Sequence, residues 1–215
     1  MSIGTRFALA VACTALAACV SPRSFLDPGV PAVSYADLGK RAEPLNLKLT
    51  VEFQRNGEPF PRADPILKDS AQRVLRATGL IVPTDADAAG SIRIVMNNIG
   101  DLKEAEAKGT KIGLTLGLAG STVKDAYEMK VSIAVNGRTA ANTVIKHAFY
   151  TSVGNETLPP GVETVPPNVA FDRVLEQMLL RALRDMQKAG ELTDRRDPRP
   201  AFDTTNRMMR TRHSR

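Results

Sequence analysis

Hydrophobic and polar positions alternate from Leu45 onward. Leu45, Leu47, Leu49, Val51 and Phe53 interleave with Asn46, Lys48, Thr50, Glu52 and Gln54. Period two over this length predicts a strand with one dry face and one wet face, and Asn56-Gly57 ends it. The period then changes to that of a helix. Ile66, Leu67, Ala71, Val74 and Leu75 form one stripe, with Lys68, Asp69, Gln72, Arg73 and Arg76 opposite. Asp64 is the expected N-cap, Pro65 the first helical position and Gly79 the closing glycine. Leu80 to Gly90 reads as a loop. Ile92 to Asn98 is a second strand, parallel to the first by the usual right-handed crossover. Tyr127 to Val135 and Thr143 to Val153 predict an antiparallel hairpin around Asn136-Gly137. A last helix from Val169 to Ala189, with Asn168 as cap and Gly190 as stop, carries the stripe Phe171, Val174, Leu175, Met178, Leu179, Ala182, Leu183 and Met186.

These elements predict an α+β domain over 45–190, a mostly antiparallel four- or five-stranded sheet with two helices packed on one face. The segments around it have no such period. Residues 20–44 contain Pro22, Pro28, Pro31 and Pro44 with balanced charge, which predicts an extended tether over 19–44. About 25 residues at ~3.3 Å each would reach ~80 Å. Residues 191–215 hold seven arginines against four acids and predict a disordered Arg-rich tail.

The N-terminal pattern changes the picture most. Arg6 precedes an apolar run from Phe7 to Ala18, too short for a membrane span, which needs about 20 residues, but of the length found in a secretory signal peptide. The run ends in Leu16-Ala17-Ala18-Cys19, which resembles the lipobox of bacterial lipoproteins. That resemblance covers residues 1–19. It implies removal of residues 1–18, a diacylglycerol thioether on Cys19 and acylation of the new amino terminus, palmitate included. Val20 after the cysteine, rather than aspartate, points by the same resemblance to the periplasmic face of the outer membrane. Of the two cysteines, Cys13 would leave with the signal peptide and Cys19 would carry lipid, so no disulfide is expected.

Composition narrows the chemistry. The chain has 215 residues, a net charge of +6, no Trp and two His. Few aromatics and a periplasmic address argue against nucleic acid, and the tail instead suits anionic lipid or peptidoglycan carboxylates. His147 is the one histidine inside the expected fold, too few for a multi-histidine metal site. A hydrolase would have to pair it with Ser132 or Ser152, without a Gly-x-Ser-x-Gly elbow. Asp85, Asp87, Asp101, Glu104 and Glu106 match no EF-hand spacing. No metal or cofactor is expected.

The Gly-rich insertion at 108–123 has two readings. Gly109, Gly113 and Gly117 at four-residue spacing, with Gly120 beyond, would form a close-packing helix face. Ile112, Leu114, Leu116 and Leu118 alternate instead as an edge strand or loop arm. These eight residues are the candidate assembly or membrane contact. The order of elements resembles lipopolysaccharide-assembly lipoproteins and transport-auxiliary lipoproteins. The resulting expectation is a non-catalytic, lipid-anchored envelope component with a protein partner. A cell-wall or lipid-modifying enzyme, or a membrane-inserting oligomer, is the alternative.

Overall fold

The structure is a computed structural model that describes residues 22–192 apart from 87, 101–120 and 136–137. It is α+β, with two α-helices on an open, mixed sheet of seven strands. The strands are β1 (Arg23–Leu26), β2 (Leu45–Arg55), β3 (Glu58–Pro59), β4 (Ile81–Pro83), β5 (Gly90–Ile99), β6 (Ser121–Val135) and β7 (Arg138–Val153). The helices are α1 (Asp64–Thr78) and α2 (Pro167–Lys188). The sheet order is β1-β7-β6-β5-β2-β3, with β4 also paired to β2.

The alternation between Leu45 and Gln54 becomes β2, and its crossover through α1 gives the expected parallel pairing with β5. Strands β5, β6 and β7 then run antiparallel. Leu47, Leu49, Ile92, Ile94, Met96, Met129, Val131, Ile133 and Ile145 point to one side. There they meet Leu67, Ala71, Val74 and Leu75 of α1 and Val174, Leu175, Met178, Leu179, Leu183 and Met186 of α2 in one continuous core. Both helices therefore cover the same face. A Ser70 to Asp172 hydrogen bond of 2.7 Å joins them.

Several expectations are corrected. The sheet has seven strands rather than four or five, because β1, β3 and β4 are too short to show a period in the sequence. Beside the expected parallel pair of β2 with β5, β2 also pairs in parallel with β4, while the other four pairings are antiparallel. The stretch read as a loop over Leu80 to Gly90 contains β4, and Leu80 and Ile81 are fully buried. Ile66, assigned to the buried stripe of α1, is 60% exposed. Asp64 opens α1 without capping it. Its carboxylate instead accepts the Phe53 N–H at 2.7 Å, tying the helix start to β2. Likewise α2 begins at Pro167 with no cap from Asn168, and proline's fixed φ suits that first position.

The largest correction concerns 19–44, whose described part, residues 22–44, does not hang free. Phe25, Val33 and Leu38 are buried at 4%, 1% and 8% exposure. Arg23–Leu26 adds to the sheet as an edge strand along β7. Proline density set the tether expectation, but each proline removes only its own donor. The donors between the prolines find partners.

Candidate functional site

The N-terminal segment is held by a series of local bonds. Ser24 Oγ lies 2.8 Å from Thr151 Oγ1, and the Phe25 ring stacks on Tyr150 at 5.4 Å between centroids. On its outer edge Ser24 exchanges two backbone hydrogen bonds of 2.8 Å with Val165. The chain then turns at Asp27, whose carboxylate accepts the Gly29 N–H at 2.9 Å, and crosses α2. Here the helix supplies what a neighbouring strand would. The Gln177 amide accepts from the Val33 N–H at 2.7 Å and donates to the Val33 carbonyl at 3.0 Å. Gln187 does the same for Gly39 at 2.9 and 2.7 Å. Between them Arg181 donates to the Pro31 carbonyl. An extended segment has unpaired backbone groups that must find partners where they are covered, and these side chains meet that need.

Of the residues singled out from the sequence, Cys19 lies outside the described residues. So do Gly109, Ile112, Gly113, Leu114, Leu116, Gly117, Leu118, Gly120 and the tail from 193. Their immediate neighbours are placed. Arg23, four positions after Cys19, pairs with Ser152, and Ser152 pairs with Thr122, two positions after Gly120. Arg23 and Thr122, the described residues that follow the expected anchor and the glycine-rich stretch in sequence, thus lie at the same corner of the sheet. The end of that stretch, Ser121 to Val123, is the start of β6.

His147 is buried, and the Ala148 N–H donates to its Nδ1 at 2.8 Å. Burial, helped by the nearby Arg181 guanidinium, holds its pKa below the ordinary histidine value, with Ala148 and Asp27 opposing. It lines a cleft of about 300 Å³ beneath the N-terminal segment, with Phe25, Asp27, Val30, Arg173 and Gln177. The serines do not reach it. His147 pairs with Tyr127, five positions along β6 from Ser132, and Ser132 faces the opposite side of the sheet. Ser152 is likewise five positions from His147 and on the opposite face. At about 3.3 Å per residue that is ~16 Å, so neither can be activated by this histidine. Ser152 Oγ is buried without a hydrogen-bond partner among the described residues. Asp125, on the histidine's side, is pushed up by burial and bonds to Asn98. No group of three metal-ligating side chains forms among the described residues.

The helix-free face of the sheet is the remaining feature, and it was not singled out from the sequence. The strand registers place Arg23, Lys48, Arg93, Lys124, Lys130 and Lys146 on it, against Glu52 and Glu128. Arg93 pairs with Glu52 at 2.6 Å and Lys146 with Glu128 at 3.4 Å. Arg23, Lys48, Lys124 and Lys130 are exposed and form no ion pair among the described residues. Lys124 Nζ sits 5.6 Å from the Tyr150 ring centroid. The alternation that predicted the strands already showed Lys48, Lys130 and Lys146 on the wet face, whereas Lys124 lies in the part of β6 that the pattern did not reveal. Their summation across strands required the register.

No family model and no curated protein matches the chain. Among solved structures it is similar to protein XCC0632 from Xanthomonas campestris, at 14% identity and a TM-score of 0.35, covering 71% of this chain and 97% of that one. It is also similar to a PelC dodecamer from Paraburkholderia phytofirmans, at 13% identity and a TM-score of 0.32, covering 78% and 98%.

Proposed function

We propose that this is a lipid-anchored component of the bacterial envelope, attached through Cys19 at the periplasmic face of the outer membrane. Its role is to bind or assemble with an envelope protein rather than to catalyse a reaction. The observation that supports this most is the short distance between the lipobox and the fold. Strand β1 begins at Arg23, four residues after Cys19. At ~3.3–3.6 Å per residue the domain can stand no more than ~14 Å from the anchoring sulfur. An acyl anchor there would fix both the height of the domain and the edge it presents. No helix among the described residues is long and apolar enough to cross a membrane.

Two other readings have their own support. The cleft at His147 is the observation that favours a cell-wall or lipid-modifying enzyme. That Ser121 to Val123, the described end of the glycine-rich stretch, begins β6 at the corner where β1 starts is the observation that favours a membrane-inserting oligomer. Cys19→Ser separates the first reading from an ordinary secreted protein. Intact mass and membrane fractionation should show loss of the acyl mass and release from the membrane, with the melting temperature unchanged. A variant that still carries acyl mass refutes the lipobox. Crosslinking in cells, followed by identification of the captured envelope protein, then tests the partner.

A further inference from the structure

We propose that the helix-free face of the sheet is a docking surface for an anionic phospholipid headgroup layer. The domain then lies with this face against the leaflet that holds its own anchor, so the proposal rests on the lipidation of Cys19 proposed above. Three observations lead to it. Among the described residues, the strand positions of this face carry six cations against two carboxylates, both of them paired, and the Asp27 carboxylate lies at its rim, 3.5 Å from the Tyr150 hydroxyl. The four cations without ion-pair partners run from Arg23 on β1 to Lys48 on β2, four strand spacings across the sheet, or about 19 Å at ~4.8 Å each, and by register roughly twelve residues along it, or about 40 Å at ~3.3 Å each. Second, Arg23 itself belongs to this face and is four residues from Cys19. The tether cannot hold the corner beyond ~14 Å, and surface charges act over about a Debye length, ~8 Å in physiological salt. Third, Tyr150 lies between Lys124 and Phe25 at that corner, an amphipathic ring of the kind that accumulates at headgroup depth.

A protein partner suits this face less well. Among the described residues its large exposed apolar side chains are Ile99 and Val144, at 45% and 50% exposure. They lie on different strands, whereas stable protein interfaces have an apolar centre. A headgroup layer needs only cations held near it, each contributing roughly 1 kcal/mol, or about a fivefold change in binding.

The test uses the chain from residue 19 onward with Cys19→Ser, which contains every described residue and cannot be acylated. Sedimentation with vesicles of phosphatidylcholine and phosphatidylglycerol (about 7:3) is compared with phosphatidylcholine alone, at low and high salt. Arg23→Gln, Lys124→Gln and Lys130→Gln are then combined in the same chain, with a melting curve to confirm folding. The expected result is salt-sensitive binding to the anionic vesicles that the triple variant weakens about a hundredfold. The tail is present throughout, so equal binding by parent and variant would assign the attraction to the tail and overturn the proposal. Equal binding to neutral vesicles would overturn it too, as would capture of an anionic polysaccharide such as alginate without vesicle binding. Acyl mass is measured separately on the native, membrane-extracted chain. Its absence refutes the anchor whatever the vesicles show.

Discussion

Phe25→Ala tests whether the segment after the lipobox is part of the fold. In the structure this residue is 4% exposed, and its ring stacks on Tyr150 at 5.4 Å with 18° between planes. Truncating a buried phenylalanine removes its transfer free energy and leaves a hole that neighbours refill only in part, about 3–5 kcal/mol in well-packed cores. Phe25 lies at the sheet's edge, where relaxation is easier, so about 3 kcal/mol is expected. For a domain of this size, that corresponds to a fall of roughly 10 °C in melting temperature. Urea unfolding of the non-lipidated chain is the assay. Its midpoint should drop while the slope stays constant, which marks lost stability rather than a changed denatured state. A free tether would tolerate the change within ~0.5 kcal/mol. A loss that small would refute the packing of β1, and with it the short reach from Cys19 to the domain.

His147 should make stability depend on pH. Burial keeps its folded pKa below the unfolded value, so the unfolded chain binds the proton first. Its contribution is complete above about pH 6.5 and is lost as the pH falls toward the folded pKa. Melting temperatures from pH 7.5 to 5 should decline, and His147→Gln should flatten that part of the profile. Gly90→Ala should destabilise the domain by about 1–3 kcal/mol. A Cβ at Gly90 would stand 2.0 Å from the Ala134 carbonyl oxygen, so backbone must move. Chemical denaturation of the variant checks it, and an unchanged midpoint would show that β5 and β6 are not paired in this register.

The parts of this fold that were legible in the sequence are those where burial repeats. β2 shows it over most of its length because one face meets two helices and the other stays wet. The hairpin of β6 and β7 was legible from Tyr127 to Val135 for the same reason. Its extension back to Ser121 was not, since Thr122 to Ala126 lies beyond the helix-covered core and shows no two-residue period of burial. β1 was invisible for a different reason. Four residues carry no measurable period, and Phe25 and Leu26 are adjacent rather than alternate. The holding residues Gln177, Arg181 and Gln187 read as ordinary polar positions of a surface helix, because their partners are backbone atoms of a distant segment. At the candidate site, the pairing of His147 with Ser132 or Ser152 that a hydrolase would need fails on strand parity, which separates odd and even positions of β7 onto opposite faces. The basic face needed strand order as well as alternation.

The pairing of β1 with β7 also sets an order in time. Ser24 and Thr151 are 127 residues apart, and contacts at such separations form late. A chain exported from its amino terminus delivers residue 23 first. Yet that strand has no place to dock until β7 and the Gln177–Gln187 turns of α2 have emerged. On the lipoprotein reading, the modifying enzymes would therefore meet Cys19 on a segment still undocked. Insertion of β1 would afterwards shorten the slack and draw the finished domain down to the bilayer. Pulse-labelled chains should then gain acyl mass before residues 22–39 become protease-resistant, and the reverse order would contradict this sequence of events.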